Sequence, residues 1–280
     1  LILQPMIEAF KEAVGSMGDD TPTAVLSKNY RPVSHFFRQN FSQVTNPPID
    51  SLRENEVMSL KTRFGSLGNI LDFENLTKEN IYVLESPILS NSQFNKFLEF
   101  FKDSAKVIDC TFDINDGLKN RIEEICVEAL TAVREGTKHL VLSDKNICET
   151  RIAVPTILAI GAVHSRLIKS KIRGFTSINV QTSEALDTHS FAVMLGVGVS
   201  AINPYLTLDT INHRCEKKLF GNLGYKECVN RYIKAIDKGL LKIMSKMGIS
   251  VLSAYRGGCN FETVGLSRSV VSEFFPGTIS

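Results

Sequence analysis

A short run near the amino end combines residue types that proteins use to hold small anions. It reads Ser16-Met17-Gly18-Asp19-Asp20-Thr21-Pro22 and lies between an amphipathic and an apolar stretch. Glycine lets the backbone approach a ligand closely, and loops that display backbone N–H groups beside polar side chains often bind anions. The same run is also typical of a helix-to-strand connection in which Asp19 or Asp20 caps an element. The residues alone leave both interpretations open.

A second candidate is an asparagine followed by two prolines, Asn46-Pro47-Pro48. Proline fixes its own backbone angle and pushes the preceding residue toward an extended conformation. Such rigidity would hold the Asn46 amide in one place for binding. It would equally serve as a stiff lead-in to a helix that begins near Ser51, so this motif also stays open.

Glu184 and His189 form a third candidate because they follow the predicted end of a strand. In parallel α/β folds, sites lie beyond the carboxyl ends of strands. The two side chains could face one another across a helix start, and we expect a structural pair rather than a catalytic one. The five histidines show no i, i+4 spacing, which argues against a zinc site.

Two glycine-containing segments allow both a binding and a structural interpretation. Gly196-Val197-Gly198 resembles a dinucleotide-binding loop, but it follows a predicted helix and precedes a predicted strand, the reverse of the required order. We therefore interpret it as a helix end. Residues 246–250 (Lys-Met-Gly-Ile-Ser) are better explained as a helix terminus with Gly248 as its cap than as an anion site. Arg256-Gly257-Gly258 carries the same ambiguity.

The composition bounds the class of protein. The chain has 280 residues, of which 43% are hydrophobic and 22% charged, and this predicts a packed globular core. A net charge of +2 gives no electrostatic case for nucleic acid or an anionic membrane. The six cysteines include no Cys-x-x-Cys pair, which excludes ordinary zinc and iron–sulfur spacings and favours a reducing compartment. No nucleophile elbow or phosphate-binding glycine loop is present, so no self-sufficient active site is predicted.

Regular alternation of strands and helices begins after an irregular, mostly helical segment at residues 1–70. Apolar runs predict strands at 81–84, 107–112, 139–142, 177–180 and 200–202, with amphipathic helices between them and a long helix over 225–244. Five such units predict a parallel sheet, and eight would close a barrel. We therefore expect an incomplete (rudimentary) TIM-type β/α barrel with mostly parallel strands, and a doubly wound open sheet as the alternative. The chain starts at Leu1, and we expect it to be a piece of a longer polypeptide.

Several of these motifs, taken together, resemble a known family. They are residues 15–22, 24–27 (Ala-Val-Leu-Ser), 41–50, 161–164 (Gly-Ala-Val-His), 201–206 (Ala-Ile-Asn-Pro-Tyr-Leu) and 244–250. In this order they resemble the central domain of the glutamate synthase large subunit. The resemblance places that domain at residues 1–240, with a helical entry at 1–70 and β/α units at 81–240, and a junction to the flavin barrel at 241–280. The chain departs from the family at Leu186, at Ser190 and at 258–260.

The resemblance implies a linking domain of an oxidoreductase that makes L-glutamate from glutamine and 2-oxoglutarate. It implies partners in an amidotransferase domain and an FMN-barrel domain of the same polypeptide, and electrons from an NAD(P)H-oxidising subunit or ferredoxin. FMN and a 3Fe-4S cluster would belong to the neighbouring domain, with no cofactor, metal or catalytic residue in this chain, which would be inactive alone. By resemblance, Ser16, Met17, Gly18 and Asn46 contribute to the 2-oxoglutarate pocket, with Met17 and Asn46 near FMN.

Two other functions stay open at this stage. One is a free-standing β/α enzyme that acts on a small carboxylate, and the other is a non-catalytic scaffold domain. The resemblance implies no nucleic-acid or membrane partner, and a cytoplasmic or plastid location.

Overall fold

A computed structural model of the chain describes residues 2–11, 28–41, 54–65, 71, 81–258 and 260–280. The strands of this described part are β1 (Phe37–Gln39), β2 (Thr62–Phe64), β3 (Tyr82–Leu84), β4 (Ala105–Asp109), β5 (Thr111–Asp113), β6 (His139–Ser143), β7 (Arg151–Ala153), β8 (Ser177–Gln181), β9 (Ala201–Asn203) and β10 (Phe261–Thr263).

Helices connect and cover these strands. They are α1 (Leu3–Ala9), α2 (Glu54–Val57), α3 (Asn91–Phe100), α4 (Leu118–Arg134), α5 (Thr156–Lys169), α6 (Thr188–Val197), α7 (Tyr205–Glu216), α8 (Tyr225–Met247), α9 (Leu252–Tyr255) and α10 (Arg268–Phe274), with 3-10 turns at Val33–Phe36 and Arg173–Phe175. Among the described residues, no helix combines the length and hydropathy that a membrane span requires.

Four strands form one parallel sheet in the order β4-β6-β8-β9. Helix α4 lies between β4 and β6 in the chain, α5 between β6 and β8, and α6 between β8 and β9, which is the β/α alternation expected of a parallel sheet. Within the described residues the sheet stays open. The predicted α/β class and its unclosed, mostly parallel sheet are thus confirmed.

Two of the five predicted strands behave differently from the prediction. The segment at 81–84 forms β3, which pairs antiparallel with β2. The residues that follow it meet the parallel sheet through a bridge between Ile88 and Ile202. The segment at 107–112 divides between β4 and β5, and β5 pairs antiparallel with β7. The division falls at Cys110, whose N–H donates to the Ser143 carbonyl while the Asp109 carboxylate accepts from the next N–H, of Thr111.

Helix ends follow the local signals in the sequence. Ser90 and Gln93 form the predicted capping box at the start of α3. Gly198, with φ 129°, ends α6, so the Gly-Val-Gly segment is a helix terminus as predicted. Gly248, in the left-handed conformation, ends α8, which confirms the structural interpretation of residues 246–250.

Close packing joins α5 to the carboxyl-terminal part of the chain. Gly161 faces Phe275, and a β-carbon added at Gly161 would lie 2.4 Å from the Phe275 ring. Gly196 meets the Phe261 ring in the same way, at 2.3 Å. The glycine of the Gly-Ala-Val-His motif is therefore a packing residue that lets α5 and the α10 region approach each other.

Candidate functional site

Four polar residues lie at one level across the carboxyl ends of the parallel strands. The strand register pairs Asp109 with Ser143, Ser143 with Gln181, and Gln181 with Asn203. Ser143 Oγ donates to Gln181 Oε1 at 2.8 Å, and Gln181 Nε2 donates to Asn203 Oδ1 at 3.2 Å. Asn203 Nδ2 continues the chain of hydrogen bonds to the Leu89 carbonyl at 3.0 Å. We call these four residues the polar row.

Asp144 directly follows Ser143 of the polar row in the chain and is only 2% exposed. Its carboxylate accepts hydrogen bonds from the Ser183 N–H at 2.9 Å, from Ser183 Oγ at 2.9 Å and from Thr182 Oγ1 at 3.1 Å. Burial raises the pKa of Asp144, and these hydrogen bonds oppose the shift. The carboxylate therefore fixes the loop that follows β8.

Glu184 ends this loop and connects it to two distant segments. Its Oε2 accepts from the Thr156 N–H at the start of α5, at 2.7 Å. Its Oε1 accepts from the Tyr30 hydroxyl at 3.3 Å. Burial raises the pKa of Glu184, and the hydrogen bonds from Thr156 and Tyr30 act against it. Helix N-termini stabilise negative charge, so this carboxylate is well placed beside α5.

His189 has a different partner from Glu184. His189 lies in α6, and its Nε2 is 2.9 Å from the carbonyl oxygen of Ser34, which lies in the 3-10 turn Val33–Phe36. Each member of the predicted pair is thus held by a separate part of the chain. The predicted pairing of Glu184 with His189 is therefore wrong, because each side chain is hydrogen-bonded to a different segment.

Asp109, the first residue of the polar row, forms an ion pair as well as hydrogen bonds. Asp109 accepts from Thr111 and Asn146 and forms an ion pair with Arg151 at 3.3 Å. Burial alone would raise its pKa, but the hydrogen bonds from Asn146 and Thr111 and the charge of Arg151 lower the pKa overall. The Asp109 side chain therefore holds the antiparallel β5–β7 pair against the end of β4.

A cleft of about 440 Å³ opens beside this edge, between α1, α7 and the loop after β8. Ser183 belongs to both the cleft wall and the Asp144 network. Arg214 stands at the wall, with its guanidinium 5.2 Å from the Phe220 ring centroid and one donor on Gln4. The lining residues are Ile2, Leu3, Ser183, Leu186, Leu206, Thr207, Thr210 and Arg214.

The residues predicted to bind substrate lie outside the described part of the chain. They are Ser16, Met17, Gly18 and Asn46. Tyr30, which follows the first loop in the chain, contacts the carboxyl edge through its hydrogen bond to Glu184. Ser51, predicted to cap a helix, also lies outside the described residues, while α2 begins at Glu54.

Sequence reasoning missed most of this edge. Asp144, Thr182 and Ser183 were not predicted as site residues, although Asp144 directly follows the apolar run 139–143 at the place where α/β sites lie. A polar residue immediately after a fully buried strand was the available signal. The carboxylates and hydroxyls at this edge are hydrogen-bonded to one another and to backbone N–H groups, so they hold the loop after β8 and the start of α5 in place.

The fold and this edge together define an open α/β domain whose carboxyl side carries a rigid polar support. The chain belongs to the family described as glutamate synthase central domain, which matches residues 1–267. It is 55% identical over its whole length to a glutamate synthase [NADPH] large chain from Azospirillum brasilense, of which it covers 19%. A ferredoxin-dependent glutamate synthase from Pyropia yezoensis is 40% identical, with 100% of this chain and 19% of that protein covered.

The relatives are much longer than this chain. A glutamate synthase [NADH] from Saccharomyces cerevisiae is 38% identical over the full chain, which covers 14% of it. The chain thus spans about a fifth or less of the length of these relatives. Among solved structures, a flavocytochrome b2 variant with benzoylformate matches at 11% identity and a TM-score of 0.40, over 68% of this chain and 40% of the other. This similarity is too low to support a fold assignment. The fold class is assigned from the strand order of the parallel sheet alone.

Proposed function

We propose that the chain is the central domain within a glutamate synthase polypeptide that makes L-glutamate from glutamine and 2-oxoglutarate. In this role it joins an amidotransferase domain to an FMN-barrel domain. The observation that carries the proposal is the 55% identity over the full chain to a protein named as a glutamate synthase large chain. The proposed domain spans residues 1–240, and residues 241–280 lead toward the barrel. Electrons would come from an NAD(P)H-oxidising subunit or ferredoxin, in the cytoplasm or a plastid.

The loop at Ser16, Met17 and Gly18 is proposed to meet the 2-oxoglutarate pocket, together with Asn46. Backbone N–H groups suit the carboxylates of this substrate, and the Met17 thioether suits a flat apolar surface. Tyr30, which follows this loop in the chain, is held by Glu184 at the carboxyl edge of the sheet. The contact brings Tyr30 itself to the carboxyl side of the sheet, where ligands of α/β folds bind.

The described residues do not fit an iron–sulfur cluster. Five described cysteines are free, and burial raises the pKa of Cys126 to about 11 and that of Cys110 still further, which opposes the thiolate form that iron requires. No group of three or more His, Cys, Asp or Glu side chains among the described residues is arranged to hold a metal. We propose that the 3Fe-4S cluster belongs to the neighbouring domain, and that FMN does so as well. FMN would supply the reducing electrons there, while Met17 and Asn46 of this chain would line its pocket.

The 280-residue chain, purified alone, is expected to show no flavin absorbance between 350 and 500 nm (roughly the range of an oxidised flavin). The reason is that the proposed FMN site is built mainly outside this chain. The full parent polypeptide, prepared in the same way, serves as the positive control. Stoichiometric yellow flavin on the isolated chain would show that this assignment of FMN is wrong.

Replacing Met17 with isoleucine in the full parent is expected to raise the KM for 2-oxoglutarate or lower kcat by about tenfold, which is roughly 1.4 kcal/mol. A β-branched side chain is stiff and cannot adapt to the pocket as methionine does. Steady-state glutamate formation is the measurement. Glutaminase activity should stay unchanged, which separates a pocket defect from unfolding.

The matched control is Ile114→Met, a swap between the same two side chains at a position that is 60% exposed. It should leave both activities unchanged. If the Met17→Ile variant keeps wild-type kinetics for 2-oxoglutarate, then Met17 does not contribute to the substrate pocket. That result would favour a domain that only spaces its neighbours.

A further inference from the structure

Two arginines meet at the edge of the sheet opposite the polar row. Arg173 begins the 3-10 turn before β8, and Arg256 follows α9. Arg256 Nη1 donates to Ser200 Oγ, just before β9. Both guanidiniums therefore lie at the amino-terminal ends of these strands and near one another.

Neither arginine has a carboxylate partner in the described part of the chain. Arg173 donates to three neutral acceptors: His164 Nδ1 at 3.0 Å, the Thr176 carbonyl at 2.6 Å and the Gly198 carbonyl at 2.8 Å. The ion pairs formed by the described residues involve neither Arg173 nor Arg256.

Burial and neighbouring positive charge lower the pKa values of the groups in this cluster. Burial, and then the charge of Arg256, lower the pKa of Arg173 to about 10. Burial also lowers the pKa of Arg256. Burial followed by the charge of Arg173 lowers the pKa of His164 to about 4, so its ring is a neutral acceptor. Positive charge is thus concentrated here, and an anion would relieve it.

The surface around Arg256 is open to a partner. Arg256 is half-buried, and its Nε and Nη2 donate no hydrogen bond to another described residue. Phe175 is 73% exposed, and a β-carbon added at the neighbouring Gly174 would meet nothing within 4 Å. We call Arg173, Gly174, Phe175, Arg256 and Gly257 the arginine patch.

We propose that the arginine patch docks a segment carrying an Asp or Glu side chain from another part of the parent polypeptide. The proposal rests on the proposed function, in which this chain is one domain of a larger enzyme. A guanidinium binds a carboxylate through paired hydrogen bonds, and Phe175 offers an apolar contact beside it. The same polypeptide is the favoured source because this chain covers only 14–19% of its relatives. The patch also lies at the edge of the sheet opposite the polar row, so a segment docked on the patch would leave the polar row uncovered.

The test uses the full parent polypeptide with Arg256→Lys and a water-soluble carbodiimide. Lysine keeps the positive charge but adds an amine that carbodiimide joins to a carboxylate within contact distance, as an amide. Mass spectrometry of the digest then identifies the joined peptides. We expect a cross-link between position 256 and an Asp- or Glu-containing peptide outside this 280-residue chain, at least tenfold above any cross-link of the control Arg134→Lys, which lies at an exposed position.

Each outcome decides the proposal. Cross-links from position 256 that stay within this chain would overturn it, and so would their absence in a variant with the wild-type melting temperature. Thermal stabilisation by added sulfate without a cross-link would assign the patch to a small anion instead. A second variant, Arg256→Gln, should raise hydrogen exchange in the cross-linked outside segment at least fivefold. Glutamate formation by the wild-type parent tests the proposed function separately, so the failure of one is distinguishable from the failure of the other.

Discussion

Replacing Gly161 with alanine is expected to destabilise the folded chain by about 3 kcal/mol. The added β-carbon would lie 2.4 Å from Cε1 of Phe275 and 2.8 Å from the backbone carbonyl oxygen of Phe274. A ring can rotate away, but a backbone oxygen cannot, so α5 and the α10 region must separate. Equilibrium urea unfolding of the 280-residue chain measures the loss as a lower midpoint.

The matched control is Gly174→Ala. No atom lies within 4 Å of a β-carbon at this position, so its stability should change by less than about 0.5 kcal/mol. Equal midpoints for the Gly161 variant and the wild type would mean that the contact between α5 and the α10 region is not tight in solution.

Replacing Asp237 with asparagine is expected to stabilise the chain at pH 8 by about 3 kcal/mol and to have almost no effect near pH 4. Burial raises the pKa of Asp237 to about 7, partly offset by a hydrogen bond from Ser86 Oγ at 2.7 Å. Between pH 4 and 7 the folded chain therefore keeps a proton that the unfolded chain has lost. The contribution of Asp237 to the stability of the wild type should therefore fall with rising pH across this window and level off above it.

Asparagine removes this titration but still offers an oxygen to Ser86. Urea unfolding at pH 4.5, 6 and 8 measures the difference between the variant and the wild type, which should grow with pH. Asp103→Asn, at an exposed position, should show no such trend. A constant difference across the three pH values would contradict a raised pKa at Asp237.

Local signals predicted the elements that depend on neighbours in the sequence. The Ser90–Gln93 capping box and the glycine that ends α8 were predicted because a cap is made by residues three or four apart. The apolar runs of β6 and β8 were found because both strands are buried on both faces.

Pairing over long distances in the sequence was not predictable in the same way. Nothing near 81–84 shows that β3 pairs with β2, and nothing near 107–112 shows that the chain turns at Cys110 toward β7. The same holds for the site. Glu184 was found by its place after a strand, but its partners Thr156 and Tyr30 are 28 and 154 residues away in the chain. Asp144 was missed because its role appears only when the β8 loop returns to it.

The hydrogen bonds that run from Ser143 through Gln181 and Asn203 to Leu89 tie three strand ends to the segment that enters α3. A displacement of any one strand end would break contacts at its neighbours, so the cost of moving one is shared by all. The ends of β6, β8 and β9 are therefore held together as one unit at this edge. An adjoining module that pressed on the loop after β8 would therefore act on the whole row of strand ends, because Asp144 joins that loop to β6.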